Sequence, residues 1–149
     1  MAAIAPNLAA EESCYLGVET TLRLQASSSN PRNSEGDFVQ LKDGRWLLIY
    51  PHFTGGVGDQ AAAHLVGRRS EDGGRSWTTK DRLVLESDAG KNIMLVSLLR
   101  MTDGRIAMFY LRKESLMDCR PWVRFSSGET ETWSEPQRII PEEEVDTTC

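Results

Sequence analysis

Asp72 is the residue whose surroundings most invite a chemical reading. It lies in Ser70-Glu-Asp-Gly-Gly-Arg-Ser-Trp77, between runs that alternate apolar and polar residues. A carboxylate there could serve catalysis or hold calcium, but a calcium loop needs acidic ligands at alternate positions, and Gly74 and Ser76 supply none. The expectation is a self-contained turn. Asp72 would accept backbone N–H groups, Gly73 and Gly74 would take left-handed angles, and Trp77 would plug the space between neighbouring sheets. Two further carboxylates, Asp59 and Asp118, stand 59 positions apart in polar loops. Three cysteines, Cys14, Cys119 and Cys149, form no CxxC pair, and His52 and His64 have no metal-ligand spacing. A zinc site, a disulfide framework and a cofactor are therefore not expected.

The elements that position these residues repeat. Leu41-Lys-Asp-Gly-Arg-Trp-Leu-Leu-Ile-Tyr50 recurs 60 residues later as Met101-Thr-Asp-Gly-Arg-Ile-Ala-Met-Phe-Tyr110. The Ser70–Trp77 turn has a degraded echo in Ser126–Trp133, where Gly128 and Thr130 replace Asp72 and Gly74. Asp-Gly between apolar runs is a hairpin signal, because glycine accepts the positive φ of the turn. Each unit therefore reads as four short strands. These are Phe38–Leu41, Trp46–Tyr50, Ala62–Arg69 and Arg82–Glu86, then Met94–Met101, Arg105–Leu111, Trp122–Phe125 and Gln137–Ile140. A further strand is expected over Val18–Gln25, where Leu22 and Leu24 alternate with Thr21 and Arg23. Helical periodicity is nearly absent. The fold class is all-β, with antiparallel four-stranded blades at about 37–87 and 93–141 and tails at 1–17 and 142–149. Tyr50 and Tyr110 occupy equivalent strand positions, as core residues do.

In such a meander the DGR hairpins and Ser…Trp turns share one end of the sheets. The other end collects Asn30–Gly36, with Arg32 and Glu35, the loop Thr54–Gln60, with Asp59, and their counterparts Lys91-Asn92 and the loop around Asp118. Arg120 and Arg124 could contact a ligand, but solvated or Asp-paired surface arginines are the commoner outcome for such residues.

Composition limits the partners. The 149 residues fit one domain or part of a larger one, and 40% are hydrophobic and 26% charged, as in globular chains. A balance of 17 basic and 22 acidic residues, net −5, argues against a nucleic-acid footprint. The longest apolar runs, such as Trp46–Tyr50 and Ile106–Leu111, are far short of the roughly 20 residues that cross a bilayer. With no basic leader visible, a cytoplasmic location is expected.

The motifs PRNSEGDF, LKDGR, YPHFTGGVGDQAAAH, RRSEDGGRSW, NIMLVSLLRMTDGRIAMFYLRK, DCRPWVRFS and TWSEP, spread over Asn30 to Pro141, resemble the N-terminal part of exo-α-sialidases. Ser70, Asp72, Gly74 and Trp77 match the Asp-box of that superfamily in full. The resemblance implies blades of a six-bladed β-propeller and a glycoside hydrolase acting on sialylated glycans. Arg32 stands where the family clamps the sugar carboxylate, and a bidentate guanidinium suits that task. Asp59 stands at the general acid/base position, and Glu35, Asn92 and Asp118 are further substrate-contact candidates. The family draws its tyrosine nucleophile from later blades, and Asn33-Ser34-Glu35 replaces its usual Ile-Pro. The resemblance thus implies a partial active site, with no turnover from an isolated monomer. Two blades leave apolar faces open, so closure by other copies is an alternative to truncation. A non-catalytic glycan-binding module and an excised coding fragment are the competing readings.

Overall fold

A computed structural model describes residues 19–140. It contains ten strands and no helix among the described residues: β1 (Arg32–Asn33), β2 (Asp37–Gln40), β3 (Trp46–Phe53), β4 (Ala63–Ser70), β5 (Arg82–Leu85), β6 (Asn92–Arg100), β7 (Ile106–Lys113), β8 (Cys119–Ser127), β9 (Thr132–Trp133) and β10 (Gln137–Arg138). They form two antiparallel sheets. In the first, β3 carries β1 and β2 on one edge and β4 then β5 on the other; the second runs β10-β8-β7-β6, with β9 also on β8. The all-β expectation holds.

Both DGR hairpins close alike. Leu41 N donates to Arg45 O at 2.8 Å and Gly44 N to Leu41 O at 3.0 Å, and Met101, Arg105 and Gly104 repeat both distances. Gly44 and Gly104 share a φ of 88°, which a side chain would strain. Asp43 and Asp103 each accept from the backbone N–H two residues on, at 3.0 Å. A shared sequence offset has become shared geometry.

The first strand of each sheet is interrupted. Arg32 pairs with Phe53, but Asp37 pairs with Ile49, so one extra residue is absorbed over 34–36. The second sheet repeats the irregularity between Met94 and Ser97. A bulge of this kind bends a strand and re-aims its side chains. Here it swings Arg32 and Asn92, which occupy corresponding positions against Phe53 and Lys113.

Strands β3 and β8 outrun their predicted limits through a proline each. Pro51 O accepts from Ser34 N at 3.3 Å, so the edge where a proline lacks its donor faces the break in the first strand. Pro121 turns that edge to the short outer strand β10. A sheet tolerates proline at such places.

Residues 19–25 form no strand, contrary to the expectation over Val18–Gln25. Leu22 and Leu24 are half-buried between exposed neighbours. Alternation requires only an extended chain, whereas a strand needs a paired neighbour, and none is present among the described residues. Val18 and the tails at 1–17 and 142–149 lie outside the described residues, as do Cys14 and Cys149.

The core lies between the sheets: Val39, Leu41, Leu47, Ile49 and Leu65 of the first pack with Ile93, Leu98, Ile106, Met108 and Tyr110 of the second. Polar ties reinforce it. Asp37 Oδ2 accepts Leu98 N at 2.8 Å. Glu129 accepts Arg100 Nη1 and Nη2 at 2.6 and 2.8 Å and Lys42 N at 2.7 Å, joining both sheets at the hairpin end. The bond from Arg100 is the main reason its carboxyl is held at about 2.

At Ser70–Trp77, Ser70 Oγ donates to Asp72 Oδ1 and accepts Gly74 N, each at 2.8 Å; Asp72 Oδ1 also accepts Ser76 N at 2.8 Å. Ser76 Oγ donates to Asp72 Oδ2 at 2.5 Å, and this bond leads the causes that hold the Asp72 carboxyl at about 2. Gly74 has φ 88°, and its counterpart Thr130 has φ 75°. A β-branched residue in that region is strained by about 1–2 kcal/mol. Thr130→Gly is therefore expected to raise the thermal midpoint by a few degrees; an unchanged or lower midpoint in a circular-dichroism melt would show the strain to be compensated.

Candidate functional site

The end of the sheets opposite the DGR hairpins gathers three of the five candidates. Arg32 starts the first strand, and the loop between β3 and β4 carries Asp59 back beside it. Arg32 Nη1 donates to Asp59 Oδ1 at 2.5 Å and to Val57 O at 3.0 Å. Its guanidinium carbon lies 4.5 Å from the centre of the Phe53 ring. Asn92, the counterpart of Arg32 in the second sheet, is fully buried and donates through Nδ2 to Asp59 O at 2.9 Å and Ala61 O at 2.8 Å. One asparagine thus fixes the loop that presents Asp59.

Chemically, this cluster is built to exchange partners. The Asp59 side chain is 62% exposed and that of Arg32 26%, and an ion pair so open to water contributes about 0–1 kcal/mol. Only Nη1 of Arg32 is engaged with described residues, so Nε and Nη2 remain as open donors. With its plane supported by Phe53, the guanidinium can take an incoming carboxylate through two parallel bonds. Asp59 would then be released toward the ligand.

The other two candidates are not joined to this cluster. Asp118 Oδ1 accepts Arg120 Nε at 2.7 Å, and its backbone closes the turn over residues 114–118. Glu35 is exposed, and its carbonyl, not its carboxylate, bonds across the sheets, accepting Val96 N at 3.2 Å. Among the described residues no group of three His, Cys, Asp or Glu is placed to hold a metal ion.

Sequence reasoning overlooked Phe53 and the carbonyls of Val57 and Ala61. It also overlooked a network on the outer face of the first sheet. There Asp81 accepts Tyr50 Oη at 2.5 Å and Arg68 Nε at 2.7 Å and meets His52 Nδ1 at 3.1 Å. Burial, then the bond to Asp81, pushes the Tyr50 phenol up. Tyr110 Oη accepts Arg124 Nε at 3.1 Å. Both tyrosines are almost wholly buried, Tyr110 within the core between the sheets and Tyr50 beneath the Asp81 network on the other face of the first sheet.

No protein-family model and no curated protein matches the chain. Solved structures do resemble it. A protein of unknown function from Dyadobacter fermentans DSM 18053 is 16% identical with a TM-score of 0.64, over 75% of this chain and 37% of that one. Hadza microbial sialidase Hz136 is 15% identical with a TM-score of 0.61, over 74% of this chain and 26% of the sialidase. The chain has a sialidase-like fold. It spans between about a quarter and two fifths of the length of these two neighbours. At such identity the likeness concerns the path of the backbone, and chemistry must be argued from the site. No helix among the described residues is long and apolar enough to cross a membrane.

Proposed function

We propose that the two sheets are blades of a sialidase-type β-propeller, with repeats at about 37–87 and 93–141, and that their Arg32 end recognises the carboxylate of an acidic sugar such as a terminal sialic acid. The supporting observation is the geometry of Arg32: paired with an exposed, exchangeable Asp59, supported by Phe53, and retaining two open donors. Asp59, displaced from Arg32, would lie beside the sugar as general acid/base. Asn92 holds its loop, and Ser70–Trp77 serves as a structural Asp-box.

The residues described favour recognition over hydrolysis. Both tyrosines among them are buried with their hydroxyls committed, to Asp81 and to Arg124, which leaves the tyrosine nucleophile of a sialidase unfilled. A glycan-binding role is thus the second reading, decided by assaying a fluorogenic sialoside with the chain and its Asp59→Asn variant. Turnover that vanishes in the variant establishes the enzyme; no turnover with retained binding establishes the module.

The recognition itself is tested by calorimetry with N-acetylneuraminic acid and its methyl ester. The acid is expected to bind and the ester much less. Arg32→Ala should weaken the acid about 10- to 100-fold, the effect of losing hydrogen bonds to a charged group. Equal binding of acid and ester, or an indifferent Arg32→Ala, overturns the proposal.

A further inference from the structure

At the hairpin end, opposite Arg32, a cavity of about 80 Å³ opens between the two sheets. Leu47, Gly67 and Val84 of the first sheet and Trp133 of the second line it, and Arg69 and Arg82 border the same space. Leu47 and Gly67 are buried, Arg69 is half-buried and Arg82 is exposed, so the cavity runs from an apolar inner end to a cationic mouth. Gly67 keeps it open. A Cβ there would stand 3.1 Å from Val84 Cγ2 and 3.2 Å from Leu47 Cδ1.

Two departures from the repeat meet here. Where Ile49 pairs with Gly67, Phe109 pairs with Val123, and where Leu47 pairs with Arg69, Ala107 pairs with Phe125. In the second sheet the hairpin arginine, Arg105, stacks on that phenylalanine, with Cζ 4.7 Å from the ring centre. In the first sheet its counterpart Arg45 meets a second guanidinium instead. Burial, then the charges of Arg45 and Arg82, hold Arg69 below the usual arginine range. Arg45 is bound to Asp43, with Nε 2.7 Å from Oδ2. The guanidiniums of Arg69 and Arg82 have no hydrogen-bond or ion-pair partner among the described residues. Glu131, on the lip of the cavity, is bonded to neither; its carboxylate lies against Gly128, whose Cβ would be 3.2 Å from Oε2. The turn that brings Glu131 and Trp133 to the cavity holds Thr130 at φ 75°, and strain of this kind collects at ligand sites.

The fold does not require an arginine at 69, since an aromatic ring serves at the corresponding place. Like charges gathered at the mouth of an apolar cavity are relieved by an anion. The cavity has about half the roughly 150 Å³ that admits benzene, which suits a chain of about three or four carbons. We propose that it is a ligand site for a short aliphatic carboxylate, whose alkyl chain enters between Leu47, Val84 and Trp133 while Arg69 and Arg82 hold the carboxylate. Guanidiniums give such a group short, oriented bonds. This site is separate from the Arg32 end, because Arg69 and Arg32 lie at opposite ends of the β3–β4 ladder.

The test is calorimetry with butyrate, compared with 1-butanol and acetate. The chain should bind butyrate and respond far less to butanol, which lacks the charge, and to acetate, which lacks the chain. Arg82→Ala removes an exposed side chain and should weaken butyrate at least 10-fold, the effect of losing a bond to a charged group. Arg69→Phe installs the residue of the second sheet; it should abolish butyrate binding and, without ligand, melt no lower than the parent. Should Arg69→Phe fail to fold, Arg82→Ala decides alone. Glu131→Gln, which removes a competing negative charge from the lip, should strengthen binding. Butyrate that binds no better than acetate or butanol overturns the proposal. So does butyrate binding that survives Arg82→Ala unchanged, which would place the carboxylate elsewhere.

Discussion

Replacing Asp81 with alanine is expected to lower the thermal midpoint by about 10 °C. Three groups converge on this carboxylate, Tyr50 Oη, Arg68 Nε and His52 Nδ1. Tyr50 is 1% exposed, and the side chains of Arg68 and Asp81 are 18% and 21% exposed. Removing the acid strands a guanidinium and a phenol where water has little access. Breaking one side of a buried pair costs about 3–5 kcal/mol. The partial exposure here places the expectation at the lower end, which in a domain of this size is worth about 10 °C. The pH dependence gives a second check. Burial raises the Asp81 carboxyl, but the bonds from Tyr50 and Arg68 outweigh it and the net direction is down. A depressed carboxylate stabilises fully above its unfolded value, about 3.9, and that stability is lost as pH falls through the folded value. The difference in midpoint between parent and Asp81→Ala should therefore be full at pH 6 and shrink below pH 4. A difference under about 3 °C at pH 6, or one that grows in acid, would show that the network is not what holds this face.

Glu129 and Asp72 act with the same sign. Each carboxyl is held at about 2, so the parent should remain folded to lower pH than a chain with ordinary carboxylates. The two differ in what they secure. Asp72 closes a local turn, whereas Glu129 joins Arg100 to the Lys42 hairpin across the sheets. Acid should accordingly loosen the association of the sheets as well as the turns.

What the sequence revealed follows from the range of the interactions involved. The hairpins were legible because Asp43-Gly44-Arg45 and Asp103-Gly104-Arg105 each close within five residues, and a local closure is written in local residue types. The Ser70–Trp77 turn was legible for the same reason. The strands followed from the pattern between these turns. Asp81, Glu129 and Asp37 were not legible, because their partners lie 13 to 87 positions away and nothing in the residue types names a partner at that distance. The supposed strand over Val18–Gln25 failed for the complementary reason: alternation is local, pairing is not. At the candidate site, Arg32 and Asp59 could be picked out by resemblance. That Asn92 reaches the Asp59 loop, and that Phe53 lies under Arg32, depends on how the sheets pack.

The break in the first strand is where fold and site meet, and Gly36 makes it possible. A methyl group at this position would stand 2.5 Å from Ile49 O and 2.6 Å from Tyr50 Cβ. Ile49 and Tyr50 are buried in the middle of β3, so neither can withdraw. The first strand must move instead, and Arg32, four residues away on the far side of the bulge, moves with it. Gly36→Ala is therefore expected to cost about 2–3 kcal/mol, the scale of overpacking a rigid site, and also to weaken the acidic-sugar binding proposed for this end at least as much as a change that touches Arg32 itself. Gly58→Ala is the control. It lies in the loop that carries Val57 and Asp59, and an added methyl group meets nothing within 4 Å, so the midpoint and the binding should both stay near those of the parent. If Gly36→Ala behaves like Gly58→Ala, the strand yields without disturbing its end, and the placement of Arg32 must be credited to the Asp59 loop alone. If it loses stability but keeps full affinity, the ion pair with Asp59 and the stack on Phe53 are enough to hold Arg32 once the strand beneath has shifted. Loss of both together is what a bulge that aims the arginine requires.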